Sequence, residues 1–174
     1  MTDAPSVVVV TDANVLINLI HTGRLLLLGQ LPGFRFVVPD DVVAEVSEVD
    51  QPTRLAEALA AEALASCALT ELEDLTLFAE LRAVLGSGEA ACLALAQGNG
   101  WHIASDERGR FRCEVHARLG EQRLLTTPAI YLRAIRAGLL SVAEADTDKA
   151  LLASCRFVMR FASFADVLNA KGGA

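Results

Sequence analysis

The chain has 174 residues, of which 53% are hydrophobic and only 5% aromatic, and its formal net charge is −7. This length favours one domain, and the composition allows a large core filled mainly by Leu, Val and Ala. The acidic balance argues against an ordinary basic surface for nucleic acids, although an acidic protein can still cut a nucleic acid where metal ions neutralise its site.

Neither targeting nor membrane insertion is indicated by the sequence. The N-terminal region has no basic cluster, and no apolar run approaches the roughly 20 residues that span a bilayer. The four cysteines are scattered and form no C-x-x-C pair: Cys67, Cys92, Cys113 and Cys155. The three histidines do not have the spacing of metal ligands: His21, His102 and His116. We therefore expect a cytoplasmic protein with reduced thiols, no zinc site and no membrane association.

The first predicted element is a strand over residues 7–10, a run of four valines typical of a strand buried on both faces of a parallel sheet. The run ends at Asp12, and a helix is predicted over residues 13–21. Asp12 should thus stand at the carboxyl end of a central strand, where open α/β sheets build their sites. The alternative is that Asp12 only caps the helix that follows.

A second strand is predicted over residues 34–38, followed by a helix over residues 42–49 that Asp40 or Asp41 would cap. Glu45 lies at the edge of the apolar face of that helix, where a glutamate is either a site residue or simply solvated. Helices are also predicted over residues 52–67 and 70–85.

A buried helix is predicted to begin after Ser87, because residues 89–96 are apolar on every side except for Glu89. A carboxylate leading into a buried helix, with no Lys or Arg one turn on, is hard to explain as scaffolding. A third buried strand over residues 101–104 then ends at Ser105 and Asp106. Three arginines follow closely in an otherwise acidic protein, and their simplest interpretation is a solvated helix face: Arg108, Arg110 and Arg112.

The remaining pattern predicts a helix over 114–119, a strand over 123–127, a helix over 129–137, and two tail helices over about 141–152 and 156–169. Alternation of buried strands with helices predicts a three-layer α/β/α sandwich around a parallel sheet of four to five strands. We expect one main α/β domain over residues 1–140 and a helical extension over 141–174 packed on the same domain.

Four acids are predicted to converge at the carboxyl edge of this sheet if the first and third strands are neighbours: Asp12, Glu45, Glu89 and Asp106. Two unit charges at about 4 Å repel by about 4 kcal/mol at an effective dielectric of 20, so such a cluster is tolerable when divalent cations bind it. Oxygen ligands favour Mg²⁺ or Mn²⁺, which activate water and offset charge on a phosphodiester.

Four short motifs, in this order along the chain, resemble those of the PIN domain family. They are Asp12-Ala13-Asn14, Glu45 in its helix, Gly88-Glu89, and Asp106-Glu107 with the arginines after it. The likeness is to the VapC-like prokaryotic group and covers about residues 6–140. It implies a metal-dependent endoribonuclease, often the toxin of a toxin–antitoxin pair.

Carried over by position, the resemblance makes Asp12, Glu45, Glu89 and Asp106 the catalytic acids that hold Mg²⁺ or Mn²⁺. Asn14 would orient Asp12 or cap its helix, and Glu107 would be a supporting acid. Arg108 or Arg110 would contact phosphate of the RNA substrate. An antitoxin protein is the expected partner, and the apolar tail helices suggest a homodimer.

Other functions fit the sequence less well. A receiver-like phosphoacceptor needs a lysine after a late strand, and this chain has only Lys149 and Lys171, both in the tail. A haloacid-type phosphatase needs a second aspartate where Asn14 stands. The remaining alternative is a catalytically inactive PIN-like module that binds RNA or serves as a scaffold.

Overall fold

The centre of the fold is the strand β1, which the valine run forms. In the computed structural model, which describes residues 6–171, five parallel strands make one sheet in the order β3-β2-β1-β4-β5. These strands are β1 (Val7–Thr11), β2 (Phe34–Pro39), β3 (Ala65–Cys67), β4 (His102–Ala104) and β5 (Leu124–Leu125). The predicted parallel α/β/α architecture is therefore confirmed.

Helices cover both faces of the sheet. The described residues contain nine α-helices: α1 (Ala13–His21), α2 (Asp40–Glu45), α3 (Gln51–Ala60), α4 (Leu72–Leu81), α5 (Ser87–Asn99), α6 (Arg110–Leu119), α7 (Thr127–Arg136), α8 (Val142–Ser154) and α9 (Phe164–Lys171). Helix α5 packs on β1, β2 and β4 and carries α4 and α6. Helix α1 packs with α3, α7 and α8 on the other face, as right-handed crossovers from the central strand require.

Helix α5 is the most buried helix of the sandwich. Residues 90–96 of α5 are all buried, which confirms the prediction from their apolar character. Ser87 is not its N-cap as predicted, since the N-cap is Gly86 and the Ser87 hydroxyl donates to Asp41 instead. The start of α5 is therefore tied to α2, which brings the two helices together at the carboxyl edge of the sheet.

Several predicted helix and strand bounds are wrong. The helix predicted over residues 52–67 ends at Ala60, and its last three residues form the edge strand β3. Hydrogen bonds to β2 decide this short strand, and no local pattern indicates them. The strand predicted over 123–127 is only two residues long, and Thr127 already begins α7.

Helix α2 and the tail are also shorter than predicted. Helix α2 ends at Glu45, so Val49 is not on a buried helical face and is 90% exposed. The helix predicted over 156–169 begins only at Phe164. Arg156 has φ +67°, which interrupts the helical backbone after α8. Within residues 6–171, each helix is too short or too polar to cross a membrane.

Candidate active site

The candidate site lies where the order of strand connections reverses, between β1 and β4. Thr11 pairs with Ala104 at the ends of these strands, and the next residues are Asp12 and Ser105. The Asp12 backbone N–H donates to the Ala104 carbonyl at 2.9 Å. The two strands are thus neighbours, as predicted, and the crevice beyond their carboxyl ends is the usual site of open α/β sheets.

Asp12 is buried, and its carboxylate is fixed by three donors. It is 3% exposed and accepts hydrogen bonds from the Ala13 backbone N–H at 2.8 Å, the Ser105 hydroxyl at 2.9 Å and the Asn14 amide at 3.0 Å. Asp12 is therefore the N-cap of α1, as the alternative interpretation held, and it also directly follows the carboxyl end of β1, as predicted.

Burial raises the pKa of Asp12 from 3.8 to about 6. Hydrogen bonds from Ser105 and Ala13 oppose this rise, whereas the negative charges of Glu89 and Glu45 add to it. The raised pKa means that the ionised carboxylate is unfavourable at this position in the metal-free protein. A cation near Asp12 would reverse that penalty.

The other two acids meet at the start of α5. Glu45 accepts a hydrogen bond from the Gly88 N–H at 2.8 Å through Oε1, and Glu89 accepts one from the Gly86 N–H at 3.0 Å through Oε2. The positive end of the helix dipole favours carboxylates here. Glu45 is the last residue of α2 rather than a residue within a helix over 42–49, as predicted, but its carboxylate still reaches the start of α5.

Gly88 allows Glu45 to approach α5 closely. A Cβ atom at Gly88 would lie 2.7 Å from Oε2 of Glu45, which is shorter than real Cβ contacts. The glycine that precedes Glu89 therefore has a steric reason: it leaves space for a carboxylate from another helix.

The buried thiol of Cys92 lies one turn after Glu89 on α5 and is affected by the charges of three of the acids. Burial is the main cause that raises the pKa of Cys92, and the charges of Asp12, Glu45 and Glu89 raise it further. These three acids from three separate segments therefore act on a common region. In the described part of the chain, none of them forms an ion pair with Lys, Arg or His.

Asp106 lies at the same edge but its side chain turns toward α7. It accepts hydrogen bonds from the Thr127 backbone N–H at 2.8 Å, from the Thr127 hydroxyl, and from the Asn18 amide at 3.0 Å. Burial raises the pKa of Asp106, and these hydrogen bonds oppose the rise. Asp106 thus fixes the N-terminus of α7, a role that the sequence did not indicate.

Asn14 connects the two aspartates. Its amide nitrogen donates to Asp12 at 3.0 Å and to Glu107 at 3.1 Å, and its side-chain oxygen accepts from the Asp106 backbone N–H at 3.0 Å. A single side chain of α1 therefore holds the β4 end in register with Asp12. The orienting role expected for Asn14 is consistent with these contacts.

The two predicted phosphate-binding arginines, Arg108 and Arg110, lie shortly after Asp106 and Glu107 in the chain. Arg108 is exposed and lines a cavity of about 340 Å³ together with Asn14, Asp106 and Glu107. Arg110 is exposed at the first position of α6 and does not line that cavity. The structure therefore brings Arg108 nearer to the acids than Arg110.

The oxygen donors are of the kind that bind Mg²⁺ or Mn²⁺. Glu45 and Glu89 each keep one carboxylate oxygen that accepts no hydrogen bond from residues 6–171. However, no three His, Cys, Asp or Glu side chains among those residues converge in an arrangement that could hold a metal ion. The chemistry of the donors fits a hard cation, while Glu45 and Glu89 are bound to the α5 backbone in this conformation.

Three residues that contact the acids were not predicted as site residues: Ser105, Asn18 and Thr127. Asn18 is four residues after Asn14 on α1, so the helical spacing of two amides, one half-buried and one buried, was a usable signal. Ser105 directly follows β4 and was another. Thr127 lies 21 residues from Asp106, and only the tertiary structure brings the two together.

A protein-family model described as a PIN domain matches residues 8–153. No curated protein matches the chain. The family match covers most of the 174 residues and includes all four predicted acids. The chain therefore belongs to the PIN domain family, whose members are generally nucleases.

Proposed function

We propose that this protein is a metal-dependent endoribonuclease that hydrolyses phosphodiester bonds of RNA. The observation that carries the proposal is the buried Asp12 carboxylate, whose pKa rises to about 6 beside Glu45 and Glu89. In the described residues no Lys or Arg of the chain offsets this charge. Uncompensated acids at a strand end suit a site that receives a divalent cation.

Asp12, Glu45, Glu89 and Asp106 would hold Mg²⁺ or Mn²⁺, which when bound activates water and offsets charge on the phosphate. Asp12 is pre-oriented by Ser105 and Asn14. The contribution of these two is to fix the carboxylate in one rotamer before RNA arrives.

The remaining roles in the proposal are supporting ones. Asp106 keeps α7 and the β4 end in place, and its metal contact would use the carboxylate already bound to Thr127. Glu107, bound to Asn14, is a further acid at the rim. Arg108 and Arg110 would contact phosphate groups of the RNA.

We further propose that the protein is a cytoplasmic toxin of a toxin–antitoxin pair, restrained by an antitoxin protein. Support comes from the motif likeness to the VapC-like group. A homodimer through the tail stays a prediction based on its apolar residues, of which Leu151 and Val158 are exposed. Light scattering that finds only a monomer would remove the dimer.

The second candidate is an inactive PIN-like module that binds RNA without cutting it. The geometry that favours it is the present orientation of Glu45 and Glu89, which are bound to the α5 backbone rather than to a common centre. The two functions differ in whether RNA is cleaved when Mn²⁺ is added.

The experiment compares cleavage of labelled single-stranded RNA by the wild type, Asp12→Asn and Glu89→Gln, with Mn²⁺, with Mg²⁺ and with EDTA. The matched control is Glu57→Gln, which removes the same charge from the exposed face of α3. We expect metal-dependent cleavage that falls at least about 100-fold in the two site variants and is unchanged in the control. Calorimetry should show Mn²⁺ binding that Asp12→Asn weakens. An intact wild type that binds RNA but never cleaves it, with either metal, would favour the inactive module.

A further inference from the structure

A segment beyond the family match borders the candidate site. Residues 156–161 lie in the segment between α8 and α9, and they follow residue 153, where the PIN match ends. They line two adjoining cavities of about 340 and 250 Å³. The two cavities share Asp106, Glu107, Arg108, Phe157, Val158 and Arg160. The tail thus forms one wall of a groove whose other wall is the rim of the acidic site.

This groove, which we call the arginine groove, is basic in an otherwise acidic protein. Arg108, Arg156 and Arg160 are exposed and form no ion pair with any described residue, while Arg112 pairs with Glu121 at 3.7 Å. The acids of the groove itself are Asp106 and Glu107, which are hydrogen-bonded to Thr127 and Asn14. Three guanidinium groups without an ion pair therefore outnumber the two carboxylates of the groove, in a chain whose net charge is −7.

The backbone of Arg156 is unusual for an arginine. Its φ of +67° lies in the left-handed region that favours glycine or asparagine. The turn that folds the tail back over the groove therefore carries a long cationic side chain at a position where glycine would be easier. Between the two tail arginines lie the half-buried Phe157 and Val158, which is 60% exposed.

The arginine groove is continuous with the acids. Asn14 lines the larger cavity together with Arg156, and the Asn14 amide donates to Asp12 at 3.0 Å. A nucleic-acid strand with a phosphate near Asp12 would therefore continue directly into this groove. Alternating cationic and apolar side chains suit single-stranded nucleic acid, because phosphates contact the cations while bases lie on apolar surface.

We propose that Arg156 and Arg160, together with Arg108, bind the phosphates of single-stranded RNA on one side of the cleaved bond. This inference rests on the proposed nuclease function and assigns the tail a substrate-binding role. Arg156 and Arg160 contact phosphates next to the scissile one, so they govern the affinity for RNA and the placement of its strand rather than the chemical step. Phe157 and Val158 provide the apolar surface between these two arginines.

The test measures binding of a labelled 12-nucleotide oligouridylate by fluorescence anisotropy in EDTA, where no metal-dependent cleavage occurs. The variant is Arg156→Gln with Arg160→Gln, which keeps most of each hydrocarbon stem. The matched control is Arg35→Gln with Arg136→Gln. These control arginines are exposed, form no ion pair with a described residue, and lie near the start of β2 and the end of α7, toward the amino edge of the sheet.

We expect the groove variant to bind RNA at least about tenfold more weakly, with the slope of log Kd against log salt reduced by about 1.4, because each phosphate contact on a single strand contributes about 0.7. The control should keep the wild-type slope. Equal effects of the two double variants, or an unchanged slope in the groove variant with its thermal unfolding intact, would overturn the proposal.

Two further outcomes separate this inference from the proposed function. If the wild type cleaves RNA with Mn²⁺ and the groove variant binds RNA normally, only the proposal for the arginine groove is overturned. If the wild type binds RNA through these arginines but never cleaves it, only the proposed nuclease function is overturned. An oligoglutamate peptide serves as the second probe. If the groove variant loses affinity for that peptide and keeps its affinity for RNA, the groove binds an acidic protein segment and the RNA assignment is overturned.

Discussion

Removing the charge of Asp12 should stabilise the metal-free protein at neutral pH. The carboxylate is 3% exposed, and burial together with the charges of Glu89 and Glu45 raises its pKa from 3.8 to about 6. A group whose pKa is raised in the folded state binds protons more tightly there than in the unfolded chain. Its contribution to stability is complete below about pH 4 and is lost as the pH rises through about 6.

The size of this effect follows from the pKa shift. A difference of about two units, at about 1.4 kcal/mol each, makes the ionised Asp12 cost about 3 kcal/mol of unfolding free energy at pH 8 relative to pH 4. Asp12→Asn carries no charge at either pH and so avoids this cost. Its amide has one acceptor oxygen instead of two, so it cannot accept from Ala13 on one side and from Asn14 and Ser105 on the other. This loss lowers stability by a roughly constant amount of about 1–2 kcal/mol.

The assay is urea denaturation of the wild type, Asp12→Asn and the exposed control Glu57→Gln, from pH 4 to pH 8 in EDTA. The unfolding free energy of Asp12→Asn minus that of the wild type should rise by about 3 kcal/mol between pH 4 and pH 7 and then level off. The control difference should stay within about 0.5 kcal/mol. Saturating Mn²⁺ should then stabilise the wild type more than Asp12→Asn. A flat difference across this pH range would refute the argument that Asp12 is penalised by burial and by its acidic neighbours.

Two further substitutions test the contacts around the acids. Gly88→Ala places a Cβ atom 2.7 Å from Oε2 of Glu45, so we expect the carboxylate to move. The unfolding free energy should change by less than about 1 kcal/mol, while Mn²⁺-dependent cleavage should be at least about tenfold slower. Unchanged cleavage would mean that the close approach of Glu45 to Gly88 has no functional role. Thr127→Val removes the hydroxyl that donates to Asp106, and it should lower the unfolding free energy by about 1–3 kcal/mol, with a further rise in the pKa of Asp106, whereas Thr127→Ser should restore most of the loss. Urea denaturation that finds no difference between the Val and Ser variants would contradict the role given to that hydroxyl.

Most of the sheet was predictable because its signals are local. Four valines that end at Asp12 indicate a buried parallel strand, and the apolar residues around Cys92 indicate a buried helix; both are confirmed. Helix α1 has the predicted bounds, because its N-cap and its apolar spacing both lie within the segment. Strand–helix alternation then limits the topology to a few parallel sheets.

The edge elements were not predictable in the same way. Strand β3 has three residues and follows an alanine-rich helix, so its own sequence favours helix. It is a strand because β2 offers an open edge with unpaired backbone groups, and that edge exists only in the folded sheet. Pairing across a sheet outweighs weak local propensity in so short a segment.

From the sequence alone come the parallel sheet and the carboxyl-edge location of Asp12 and Asp106, because a residue that directly follows a buried strand has little freedom in where it stands. The side-chain directions required the tertiary structure. Asp106 turns toward Thr127, and Arg156 reaches the rim of the site from a tail far along the chain. Such side-chain directions depend on which hydrogen-bond donors and cavities, distant in sequence, the packed helices bring close. The spacing of residues along the chain does not encode these tertiary contacts.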